Sequence, residues 1–361
     1  NLKGTIRYYG CPAEENAGGK AFLVRDGYFD DCDLALCWHP EQGRRACYGS
    51  TKANFRVFFT FHGTPAHASM CPELGRSALD AVELMDVGVN YMREHMEPTD
   101  RIHYAITDTG GSSPNVVQNH AEVLYLIRST DNNKVKRLYE RVKNIARGAA
   151  LMTETNVEAV FDKACSNILS NSILEQLLYD CMKTIPLPSY TEEELVYAEQ
   201  MKKTITDADI ASDMSLMMVH GAEKRRLASL YRELPMANFV VEHQHQDLFL
   251  PGSSDVGDCS HATPTAQFVG ACFVPGTPAH SWQMTAQGKE KTAVKGMFYA
   301  AQVLSEACRR LFEKPEIVKQ AREVFENDTE GKPYECPIPP EILPNANGKR
   351  KKHSYASGQE G

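Results

Sequence analysis

Glu14 and Glu15 are two consecutive carboxylates in the stretch Gly10-Cys-Pro-Ala-Glu-Glu15. Neighbouring residues in an irregular loop can point in different directions. One carboxylate can then bind a metal while the other reaches the water that the metal polarises, a division of labour that metal-assisted hydrolysis needs. Neighbouring glutamates are more often the mark of a solvated loop, so the pair decides nothing alone. Two histidines sit where an imidazole either ligates a metal or makes a local hydrogen bond. His39 follows the apolar run 33–38, and His280 lies in the loop Gly276-Thr-Pro-Ala-His-Ser-Trp282. His243 and His245 alternate within 242–247 as strand-borne ligands would, yet that polar stretch reads as a solvent-facing loop. Ser69, Ser253 and Ser254 lack the Gly-x-Ser-x-Gly elbow of a serine nucleophile. Asp255 and Asp258 either support a ligand or cap their loop.

The elements that must position these groups suit a chain of 361 residues with 42% hydrophobic and 24% charged residues, the balance of a globular protein of two domains. A net charge of −8 gives no nucleic-acid footprint and favours a small-molecule partner. Eleven scattered cysteines without a Cys-x-x-Cys pair read as free thiols of a reducing compartment, so a cytoplasmic location is expected. The apolar run 268–274 is far too short to span a membrane.

Residues 4–9 read as a strand ended by Pro12, 16–25 as a helix, and 33–38 as a buried strand delivering His39 at its carboxyl end. Strand, helix, strand opens an α/β sheet, whose ligands bind outside the carboxyl ends of the strands. From Lys52 the pattern changes. Strand 54–61, helix 75–95 with apolar spacing through Leu79, Val82, Leu84, Val87 and Tyr91, strands 101–107 and 121–128, helix 133–151 and strand 156–161 give the ferredoxin-like order β-α-β-β-α-β. That unit closes on itself and reads as an insertion. The surrounding domain resumes near Cys165 with helix 172–183, a charged irregular insertion over 186–232 that holds a helix start at Thr191, and a buried strand over 265–274. An amphipathic helix over 289–312 follows, with Val294, Met297, Ala301, Leu304 and Leu311 on one side. The division expected is 1–50 with 165–343 as a catalytic α/β domain, 51–164 as an inserted dimerisation or lid domain, and 344–361 as a disordered tail.

Pro12-Ala-Glu-Glu15, His39-Pro40, Gly63-Thr-Pro-Ala-His67-Ala-Ser69, Asn115-Val-Val117, Ile127-Arg128 and a late His280 stand in the order found in the dinuclear-zinc amidohydrolases. The chain resembles that family, which includes aminoacylases, hippurate hydrolases and glutamate carboxypeptidases, over about residues 4 to 343. The resemblance implies a zinc-peptidase-like catalytic domain interrupted by a ferredoxin-like dimerisation or lid domain. It implies hydrolysis of an N-acyl amino acid, with an N-aroyl glutamate as the best match, and two divalent ions, zinc or manganese. Glu14 then matches the general base, Glu15 and His280 ligands of one ion, and His39 a ligand of the second. His67 matches a histidine that reaches the partner subunit's site and stabilises the oxyanion, and Asn115 and Arg128 match groups that hold the substrate carboxylate. The assembly implied is a homodimer or a heteromer with an A-type subunit.

The family's remaining ligands, an aspartate or cysteine that bridges the ions and a histidine, precede the glutamate pair. Only thirteen residues precede Glu14 here, so the expected site is incomplete. A non-catalytic subunit acting by association is the alternative expectation.

Overall fold

The computed structural model describes residues 3–217 and 219–344; of the expected tail, 345–361 lies outside the described residues. Two sheets organise the chain. Its elements in order are α1 (Glu14–Ala17), α2 (Gly19–Arg25), β1 (Ala35–Glu41), β2 (Arg45–Ala46), β3 (Ala53–His62), α3 (Ala78–Met92), β4 (Arg101–Asp108), β5 (His120–Ser129), α4 (Asn132–Thr153) and β6 (Asn156–Cys165). There follow α5 (Ser172–Thr184), α6 (Glu192–Lys202), α7 (Asp207–Leu216), α8 (Gly221–Glu233), α9 (Val256–Ala262), β7 (Thr265–Ala271), α10 (Trp282–Gln287), α11 (Lys291–Glu313) and α12 (Pro315–Thr329).

The smaller sheet has the order β1-β7-β2, with β1 parallel and β2 antiparallel to the central strand. Phe268 of β7 is fully buried against Leu174 and Leu178 of α5 and Tyr299 and Val303 of α11, so those helices cover one face. The larger sheet is antiparallel in the order β4-β5-β3-β6, and with α3 and α4 it makes the expected ferredoxin-like unit. Alternation along β5 turns Ala121, Val123, Tyr125 and Ile127 inward while Glu122, Leu126 and Arg128 face the open side. The inward set meets Met85 and Val89 of α3 and Val135 and Val142 of α4 in one core.

Residues 4–9 form no strand, against expectation. A strand needs a neighbour to pair with and a surface for alternate side chains, and Ile6 and Tyr8 stay 66% and 94% exposed. The glutamates open one helical turn rather than a loop. In α3 the buried side is Ala78, Ala81, Val82, Met85, Val89 and Met92, which leaves the expected stripe residues Leu84, Val87 and Tyr91 exposed. In α11 the core face runs through Ala293, Gly296, Tyr299, Ala300, Val303 and Ala307, so Val294 and Met297 point outward. Small residues allow the close approach in both helices, and counting large apolar residues selects the wrong side. The stretch 186–232 is helical rather than irregular. Thr191 and Thr206 each close a capping box that starts α6 and α7.

Candidate functional site

Two loops carry the donor pair. Ala13, at φ +64°, leads into the turn of α1, and Gly18, at φ +62°, ends it. A Cβ on Gly18 would stand 3.3 Å from the Ala164 carbonyl oxygen and from Cys165 Sγ, so the turn lies directly on the end of β6. Lys20, on the following helix, is tied to the fully buried Asp255 by its backbone N–H at 2.8 Å and its Nζ at 2.6 Å. The second loop is pinned by Gln42 Nε2, which donates to the Thr277 carbonyl at 3.1 Å, and by Ser281, whose hydroxyl caps α10. Between them His280 holds φ +55°.

These loops bring His280 Nε2 to 3.7 Å from Glu15 Oε2, with the side chains 77% and 67% exposed. Among the described residues, four non-glycine residues have positive φ: Ala13, Glu154, His280 and Glu330. Glu154 and Glu330 are helix C-caps, where that geometry is common. The remaining two, Ala13 and His280, belong to the loops of the donor pair, and strain of this kind concentrates at functional sites.

Carboxylate and imidazole are suitable ligands for zinc or manganese, and 3.7 Å is close to the separation of two ligands on one ion. The set stops there. Among the described residues no group of three His, Cys, Asp or Glu side chains converges as a metal site. His39 lies exposed on β1, paired with Val269 in register, and does not complete a third vertex. Two exposed donors do not make a resident metal site.

The remaining candidates divide between opposite ends of the larger sheet. His67 bridges Val116, and the Ala68 N–H donates to the Asn115 carbonyl at 3.0 Å, so His67 and Asn115 lie together beyond the His62 end of β3. Arg128 pairs with Asn54 at the other end, eight residues along β5 from His120 and therefore roughly 27 Å away. Within one chain Asn115 and Arg128 cannot hold the same carboxylate. Arg128 faces the site side, where its Nη1 donates to Ser253 Oγ at 3.4 Å and its Nε has no partner. Burial lowers the Arg128 guanidinium, and Arg128 with Arg93, Arg101 and Lys52 adds to the burial that holds His103 below the ordinary histidine range.

Two further groups, Lys163 and Asp213, are not evident from the sequence pattern, and the histidine pair that the pattern offered at 243 and 245 sits otherwise than expected. Lys163 lies on β6 in the field of Glu14 without an ion pair to it, two residues beyond the strand expected over 156–161, so no signal in the spacing marks it. His243 is turned inward with its side chain 2% exposed, and with His245 it approaches the buried Glu175, so the 242–247 loop is not wholly solvent-facing. Asp213 is buried near Arg45 and Glu41 at the end of β1, a contact made by α7, whose weak periodicity hides it.

Relatives of known sequence agree with this architecture. The peptidase dimerisation domain of the M20 family matches residues 49–153. The chain belongs to the M20 family of peptidases and amidohydrolases. It is 44% identical over 343 residues to the B-type subunit of p-aminobenzoyl-glutamate hydrolase of Escherichia coli (strain K12), spanning 95% of this chain and 71% of that protein. It is 34% identical over 149 residues to the Xaa-Arg dipeptidase of Mus musculus, 41% of this chain and 34% of the relative. Among solved structures, a protein described as an aminohydrolase from methicillin resistant Staphylococcus aureus shares the fold at a TM-score of 0.53 and 12% identity, covering 84% of this chain and 64% of that one. Peptidases of this family are generally metal-dependent. Among the described residues no helix is long and apolar enough to cross a membrane.

Proposed function

We propose that this chain takes part in hydrolysing the amide bond of an N-acyl amino acid, with p-aminobenzoyl-glutamate, cleaved to p-aminobenzoate and glutamate, as the substrate. The observation that carries this reading is the meeting of Glu15 and His280 from distant parts of the chain, with positive φ at His280 itself and at Ala13, which leads into the turn of Glu15. The name of the Escherichia coli relative supports the substrate.

Glu15, His280 and His39 are the residues this chain would contribute to a centre of two zinc or manganese ions, whose chemistry when bound is to ionise a water. The donors present do not fill such a centre, and no step is derived through it. Glu14, on the same turn as Glu15, then takes a proton from the attacking water on its carboxylate and passes it to the leaving nitrogen. Arg128 offers a planar fork to the substrate carboxylate, and the unpartnered Nε leaves one donor free for it. His67 and Asn115 lie too far from Glu14 of their own chain. On this reading they serve a partner's site, where His67 stabilises the oxyanion.

On this reading residues 1–50 with 165–343 form the catalytic domain and 51–164 the dimerisation or lid domain. The partner is a second copy or an A-type subunit, docked along the exposed edge strand β4. The eleven unpaired thiols support a cytoplasmic location. A second reading, a non-catalytic subunit acting by association, is favoured by the donor set stopping at two among the described residues.

The test is p-aminobenzoyl-glutamate hydrolysis by the protein expressed from its whole coding sequence, beside Glu14→Gln. Glu14→Gln should bind metal as the parent does and lose at least about 100-fold in kcat, the scale of general-base catalysis. An active Gln variant would refute the role of Glu14, and a parent inactive with any companion subunit would favour the second reading.

A further inference from the structure

The open face of the larger sheet carries more positive charge than it has acids to match on the side that meets the glutamate turn. Cross-strand register places Arg101, Arg128 and Asn54 in one row of that face, and His103, Leu126, Arg56 and Lys163 in the next. Arg56 is neutralised by Asp162, with Nε to Oδ2 at 3.0 Å. Lys163 is not: its ammonium has no hydrogen bond or ion pair among the described residues, although the residue is half-buried. Arg128 likewise has no carboxylate partner there, only Ser253 Oγ, and its buried Nε is unpaired.

Lys163 sits two residues before Cys165, whose Sγ meets the Gly18 end of the glutamate turn, so it overlooks the turn that bears Glu14. Burial lowers the Lys163 ammonium, and the negative charges of Asp162 and Glu14 oppose that effect while Arg56 adds to it. A half-buried cation without a counter-ion costs free energy that an anionic ligand recovers. Two such cations, on strands separated by one neighbour and one row apart, stand roughly 12 Å apart at the backbone. That spacing suits two separate carboxylates converging on long side chains, rather than one compact anion.

We propose that Lys163 is a specificity residue that binds the side-chain carboxylate of an acidic leaving amino acid whose α-carboxylate is held by Arg128. This rests on the hydrolase reading for the reaction, and the subsite itself is testable without turnover. The ligand class is a dicarboxylic α-amino acid, of which glutamate is the probe.

Calorimetric titration of the protein from its whole coding sequence with L-glutamate and with L-glutamine isolates the side-chain charge, because the two differ there alone. Wild type should bind glutamate about 10- to 100-fold more tightly, the range of a charge-assisted hydrogen bond. Lys163→Met keeps the length of the stem and removes the charge, so it should erase most of that preference with an unchanged melting temperature. Lys163→Arg should retain it. The ratio of kcat/KM for p-aminobenzoyl-glutamate over p-aminobenzoyl-glutamine should fall in parallel in Lys163→Met. A wild type without preference, or a preference that Lys163→Met leaves intact, overturns the proposal. Protein that hydrolyses neither amide yet discriminates the free amino acids through Lys163 refutes the hydrolase reading and leaves the subsite standing.

Discussion

At the scale of single residues, the pair Glu15 and His280 offers half of a ligand set on a surface open to solvent. Such a pair binds a divalent ion weakly, since each lost vertex removes a bond that the bulk water readily replaces. Replacing His280 by Ala should therefore weaken zinc binding by the protein by about tenfold or more and leave its melting temperature unchanged, because the side chain packs against little. Titration with zinc under competition by a chromophoric chelator reads this directly, and equal binding by parent and variant would remove His280 from the site. The types of these residues were legible in the sequence. The failure of His39 to join them was not, because its exposure depends on which face of β1 the neighbouring layers cover.

At the scale of elements, α7 shows what a weakly periodic segment conceals. Its Asp213 is 7% exposed, and burial, with the charge of Glu41 added and Arg45 opposing, pushes the carboxyl up to about 7. The folded chain then holds that proton more tightly than the unfolded chain. The contribution to stability is complete below the ordinary carboxylate range and is lost as pH rises toward 7, on the order of 4 kcal/mol in all. Asp86 and Asp258, each pushed up to about 6 chiefly by burial, lean the same way. Asp213→Asn should have a melting temperature near the parent's at about pH 4 and above it by about pH 8, with the gap widening between. Parallel curves would contradict the buried, proton-holding state of Asp213. Helices α6 and α7 are hard to read in the sequence because their apolar spacing is weak. Their capping boxes, Thr191 with Glu194 and Thr206 with Asp209, are the readable signal.

At the scale of the whole molecule, β4 forms an edge of the larger sheet with Tyr104 and Ile106 exposed, and α3 presents Leu84, Val87 and Tyr91 outward. An uncovered apolar edge invites pairing with another chain, and this segment matches a peptidase dimerisation domain. Ile106→Lys should shift the assembly toward the monomer in sedimentation velocity while the far-ultraviolet spectrum holds; an unchanged sedimentation coefficient would place the contact elsewhere. The sequence by itself determined the ferredoxin-like unit, since alternation and turn residues are local signals that each strand of a closed antiparallel sheet must carry. It also determined the order of the candidate residues along the chain. Only the tertiary structure decided that Glu15 meets His280, that Asn115 and Arg128 fall at opposite ends of one sheet, and that Lys163 overlooks Glu14. Contacts between distant segments follow from strand register and from the packing of layers, and neither is written in the spacing of neighbours.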